Sequence, residues 1–181
     1  MMISIRWLTN NKLHKRHRHI LDYYVETMYM AIPVNQYKSS NIFFGEPIKN
    51  TIIENSVFRR IIYSHPEISF NSINIFFTFS HLTVKKFYNK WKCIFNDTTN
   101  KNTLLSIESN ILQKLRICRK NPVYSITHQV QNNMFKVFSE RMEPGDFREY
   151  TVVLRISGIW ESETEYGITY KFVDFNEINI R

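Results

Sequence analysis

Between Ile73 and Phe79 every second residue is large and apolar: Ile73, Ile75, Phe77 and Phe79, alternating with Asn74, Phe76 and Thr78. A strand turns successive side chains to opposite faces, so a period of two predicts a β-strand with one buried face. The period recurs. Val57, Arg59 and Ile61 alternate with Phe58, Arg60 and Ile62 in a strand near 56–63. Val152, Leu154 and Ile156 alternate with Val153, Arg155 and Ser157, and Ile168, Tyr170 and Phe172 with Thr169, Lys171 and Val173. Met134 to Phe138 suggests a further short strand. One segment breaks the pattern. Leu104, Ile107, Ile111, Leu115 and Cys118 stand three and four apart, which predicts an amphipathic helix near 103–118 with Asn102 or Thr103 as its cap. The expected class is mostly β, of α+β type.

The chain has 181 residues, 43% of them hydrophobic, enough for one sizeable core with a small appendage. Only 4 Gly and 5 Pro occur among 15% aromatics, which argues against disorder. Residues 12 to 30 carry Leu13, His17, Ile20, Leu21, Tyr24, Val25 and Met28 on one helical stripe, and Pro33 ends it. Residues 35 to 50 form a polar connector turning at Gly45 and Pro47. The expected organisation is an N-terminal helical extension over 1–50 and a main domain over 51–181. No apolar run reaches the ~18 residues of a membrane span, and no apolar stretch follows the basic start as in a secretory signal. Cys93 and Cys118 make neither a disulfide framework nor a zinc spacing, so a reducing, intracellular compartment is expected.

The net charge of +8 is unevenly spread. Residues 85 to 120 hold nine Lys or Arg against Asp97 and Glu108, while residues 140 to 181 hold five basic and nine acidic side chains. A concentrated basic field favours polyanions, whether nucleic acid or an anionic membrane surface. Within it, Thr83 to Phe95 reads as one strand. One face would carry Lys86, Tyr88, Lys90, Lys92 and Ile94, and the other Phe87, Asn89, Trp91, Cys93 and Phe95. Ammonium groups around a tyrosine are what a sheet offers to single-stranded nucleic acid; the competing reading is a solvated edge. A hairpin with Ile73–Phe79 would bring Phe76 near Tyr88. Arg116, Arg119 and Lys120 would add phosphate contacts, or else serve only the negative end of the helix. The acidic run Glu161 to Glu165 reads as a solvated hairpin tip. Histidines two apart in His14 to His19 do not share a helical face, so that run alone makes a poor metal site. No Walker loop, G-x-G-x-x-G, G-x-S-x-G, H-E-x-x-H or paired C-x-x-C is present. Neither an enzyme nor a cofactor is expected.

Strands near 56–63, 72–79 and 85–95, then the helix, then 151–157 paired with 166–173, follow the order of an OB-fold, whose helix lies between the third and fourth of five barrel strands. At the carboxyl end, Ile156-Ser157-Gly158-Ile159-Trp160, the acidic tip, and Gly167-Ile168-Thr169-Tyr170-Lys171-Phe172 resemble the last hairpin of OB-fold single-stranded DNA-binding proteins of large DNA viruses, T7-like phages and related mobile elements. Phage members end in a strongly acidic tail, which Asp174 to Arg181 matches only in part. The resemblance implies a sequence-tolerant single-stranded DNA-binding protein of viral replication or recombination. Its partners would be single-stranded DNA or RNA, replication proteins and further copies of itself. The alternative is a viral structural or nucleoprotein component that binds protein partners.

Overall fold

The computed structural model describes residues 31–66 and 68–178. The helical stripe over 12–30 and the basic His-rich run lie outside the described residues, as does the end of the terminal tail. The remainder is mostly β, with its strands joined in one ten-stranded sheet. In chain order the strands are β1 (Ile32–Pro33), β2 (Ile42–Lys49), β3 (Val57–His65), β4 (Ile68–Phe70), β5 (Ile73–Phe87) and β6 (Lys90–Phe95), followed by helix α1 (Thr98–Leu115). Then come β7 (Asn121–Val123), helix α2 (Ser125–Val130), β8 (Met134–Phe138), β9 (Gly145–Glu161), β10 (Glu165–Asp174) and a terminal turn of helix, α3 (Phe175–Ile178).

Five of these strands close on themselves. β5 pairs with β6, β6 with β8, β8 with β10, β10 with β9, and β9 returns to β5. All the contacts are antiparallel except β8–β10, which is parallel. Closure removes the free edges that an open sheet leaves unpaired. Its interior is filled by the alternating apolar positions. Phe79, Phe95, Phe135 and Phe172 form a buried aromatic chain, with ring centroids 5.0 Å apart for Phe79–Phe95, 5.1 Å for Phe79–Phe135 and 4.5 Å for Phe135–Phe172. Each such pair adds roughly 0.5–1.5 kcal/mol beyond the area it buries.

From Val152 onward β9 has strands on both sides, and it extends the sheet outward to β3 and β2. Where β3 crosses it, Gly158 is essential. A Cβ there would lie 2.3 Å from Phe58 Cζ and 2.4 Å from the Arg59 carbonyl oxygen. The predicted pairing of 151–157 with 166–173 is present, with Leu154 opposite Phe172.

Four expectations are corrected. The stretch Thr83 to Phe95 is a hairpin, not one strand: β5 ends at Phe87, Tyr88 and Asn89 turn the chain, and β6 begins at Lys90. Tyr88 adopts φ of 53°, a left-handed conformation uncommon outside glycine and asparagine, so the residue types did not mark the turn. The helix starts five residues early, at Thr98, because Asp97 caps it by accepting from the Asn100 N–H at 2.9 Å. Within the five-strand ring that helix precedes the third strand, β8, not the fourth, since the strand near 56–63 is β3 and stands outside the ring. Residues 42–49, read as connector, form β2 and pair with β3.

Candidate nucleic-acid interface

Because β5, β6 and β8 are antiparallel neighbours in fixed register, residues of the same cross-strand rank face the same way. Lys85 pairs with Lys92, and Lys92 with Lys136. The parallel β8–β10 ladder joins Val137 to Phe172, which sets Lys136 beside Lys171 one residue back. The inward neighbours Val84, Cys93, Val137 and Phe172 are buried, so all four lysines lie on the outer face. They make one row across four strands. At about 4.8 Å per strand the row is roughly 14 Å long.

A second row runs beside it, two residues or about 7 Å further along the strands. Phe87 pairs with Lys90, Phe138 stands opposite Lys90 in the β6–β8 register, and Val173 pairs with Phe138. Phe87 is 42% exposed, Phe138 47%, and Tyr88 at the hairpin tip 85%. The ammonium groups of this surface rest on aromatic faces: Lys90 Nζ lies 4.4 Å from the Phe138 ring centre and Lys136 Nζ 5.2 Å from that of Phe87. Among the described residues, no carboxylate pairs with Lys85, Lys90, Lys92, Lys136 or Lys171.

At β8 and β10 this face gains a wall. Helix α2 stands beside the lysine row and encloses a groove of about 700 Å³ lined by Lys90, Lys136, Lys171, Tyr124, His128 and Phe138, among others. The wall is fixed by a buried carboxylate. Glu108, wholly buried on α1, accepts from the Ile126 N–H at 2.9 Å, the Thr127 N–H at 2.7 Å and the Thr127 hydroxyl at 2.7 Å. Three donors satisfy one buried charge and tie the first turn of α2 to α1. Gln129 then bridges α2 to the sheet, donating to the Tyr170 hydroxyl and accepting from the Lys136 N–H. Burial, with the Glu108 charge behind it, pushes the Tyr170 phenol up to about 12, so it stays protonated.

Of the residues read from the sequence, Lys90, Lys92 and Tyr88 belong to this surface. Lys86 does not: it pairs with buried Trp91 on the opposite face, its Nζ 4.1 Å from the indole centre. Phe76 lies near the far end of β5, opposite Val153 and 6.2 Å from the Phe175 ring, so it does not meet Tyr88. Arg116 and Arg119 are exposed in left-handed conformations after α1. Lys120 is engaged elsewhere, 2.8 Å from Glu161 Oε1 and 2.6 Å from the Ser162 carbonyl. Glu161, read as part of a solvated tip, is in fact buried between Lys120 and Arg59 Nε, the latter at 3.1 Å. Burial would raise its carboxyl, but hydrogen bonds from Lys120 and Arg59 outweigh that and hold it below the usual carboxylate range.

The residues missed are Lys85, Phe87, Lys136, Phe138, Lys171, Tyr124 and His128. Lys136 and Phe138 alternate with buried Phe135 and Val137, so their outward direction was available from the short strand. Their partnership with Lys92 and Lys90 needed the β6–β8 register. No family model matches the chain, and neither a curated protein nor a solved structure does. No helix among the described residues is long and apolar enough to cross a membrane.

Proposed function

We propose that this chain is a sequence-tolerant single-stranded nucleic-acid-binding protein, acting on single-stranded DNA in viral replication or recombination, and that its ring is an OB-like barrel. One observation carries the reading: Lys85, Lys92 and Lys136 oppose one another on adjacent strands with no carboxylate partner among the described residues. Like charges directly opposed across strands cost stability, so an external polyanion is the natural counterpart. The parallel row of Phe87 and Phe138, with Tyr88 at the tip, supplies π-faces that accept any base at roughly 1–3 kcal/mol each. Lysines now resting on those rings would move to phosphate as bases take their place. The chain needs no catalytic group or cofactor to do this.

The barrel reading is supported by the ring order, in which the first strand meets the second and fourth and the third meets the fifth in parallel. OB barrels bind single strands over their second and third strands; here those are β6 and β8, at the middle of both rows. The helix before the third strand is a departure from the usual order.

A second reading, a nucleoprotein component that binds protein, is favoured by the outer edge of the sheet. β2 is a terminal strand, and Phe43, Ile48, Ile52 and Ile53 around it are exposed, Ile52 by 88%. Fluorescence anisotropy with labelled single strands and duplexes, repeated over a salt series, tests the first. Tight, salt-sensitive binding that favours the single strand is expected. Equal weak binding to both, lost near physiological salt, would overturn it. Large assemblies in sedimentation without nucleic acid would then support the second.

A further inference from the structure

The open part of the surface and its walled part differ in chemistry. Over β5 and β6 the lysine row is a shallow track, suited to the single charge of each backbone phosphodiester. Over β8 and β10 the α2 wall turns it into a pocket. There Lys90, Lys136 and Lys171 approach from three different strands, and His128 approaches from the helix. No carboxylate lines it. The Ile126 and Thr127 amides of α2 are not available to this pocket, since Glu108 accepts from both. Its volume of about 700 Å³ falls within the range of small-ligand sites, about 300–1,000 Å³. Tyr124 and Phe138 provide apolar walls for a base or sugar.

The geometry points to a pocket for a terminal phosphomonoester, the phosphorylated end of a strand. This rests on the single-strand reading above and adds to it. A phosphomonoester carries about −1.5 to −2 charges near neutrality, against −1 for an internal phosphodiester, and offers three free oxygens. Three lysines that line one groove, with His128 and without a carboxylate, match that extra charge. Outside the groove the row is continued by Lys85 and Lys92 alone, with no helix beside them. The phosphate can belong to a 5′ or a 3′ end, and both present the same group.

The test is competition anisotropy with octanucleotides of one sequence bearing hydroxyl ends, a 5′-phosphate or a 3′-phosphate, on the wild-type chain, Lys171→Ala and Lys85→Ala. One phosphorylated end is expected to bind at least tenfold tighter than the hydroxyl-ended strand. Lys171→Ala should weaken the phosphorylated strand at least tenfold more than the hydroxyl-ended one. Lys85→Ala, on the open track, should weaken both equally. Thermal melting checks that each variant is folded. If all three strands bind the wild type within twofold of one another, the pocket inference fails while the single-strand reading stands. If none binds, both fail. If the preference survives in Lys171→Ala, the end is read elsewhere and the inference also fails.

Discussion

Replacing Lys92 and Lys136 together by alanine removes the two middle charges of a four-lysine row, and the consequence can be worked out before the experiment. Counterion release gives a log–log salt slope of about −0.7 per neutralised phosphate for a single strand, so four contacts predict a slope near −2.8 and two a slope near −1.4. Between about 50 and 200 mM salt the intact protein should then lose roughly 50-fold in affinity and the double variant only roughly 7-fold. The two lysines are cross-strand partners, so their removal also relieves a repulsion. The variant should be no less stable than the parent, and by roughly 0.2–1 kcal/mol more so. Weaker binding with a flatter slope and an unchanged or raised melting temperature is the expected combination. An unchanged slope would refute the phosphate contacts; a lowered melting temperature would show that the two lysines hold the fold together.

Three further outcomes follow from buried charge and burial. Glu108→Ala leaves the Ile126 and Thr127 amides without their acceptor, at about 1–3 kcal/mol each, and urea denaturation should show a loss of about 2–6 kcal/mol. Glu161 has a lowered folded-state pKa, so its stabilising contribution is complete above its unfolded value, about 4.5, and disappears as pH falls through the lower folded value. Melting temperatures over an acid pH series should therefore converge between the parent and Glu161→Gln at low pH and separate toward neutrality. Burial, with the Asp174 charge nearby, pushes the Cys93 thiol up to about 12, so a maleimide at neutral pH should label exposed Cys118 and leave Cys93 unmodified until the protein is unfolded.

The alternation of Ile73 to Phe79 and of Val152 to Ile156 was enough to identify two ring strands and their buried faces, because a half-buried strand writes its geometry directly into residue order. The α1 stripe was equally plain, though its start was hidden by an Asp cap inside a run of turn-forming residues. The β5–β6 turn was not legible: Tyr88 and Asn89 lack the glycine that marks most tight hairpins, and only the pairing register reveals them. That single turn decides which lysines share a face, and it is why Lys86 separates from Lys90 and Lys92. Lys136 and Lys171 were readable as outward residues, but their place in the row depends on contacts between strands far apart in the chain. Helix α2 left almost no mark, since six residues are too few for a helical period and its start is held by Glu108 from another element.

β9 has a consequence for how the protein is made. It closes the ring by pairing residues 145–156 with residues 73–84 of β5, and it also carries β3 and β10. Every one of these seams waits for residues 145–161 to leave the ribosome. Until then the Phe79–Phe95–Phe135 cluster faces water along the unpaired side of β5. Pairings this distant in sequence form late because the loop entropy must be overcome first. The nascent chain is therefore most prone to aggregate just before β9 emerges, and a ribosome stalled there would hold three of the four core rings, with neither Phe172 nor the two strands that shut the ring over them.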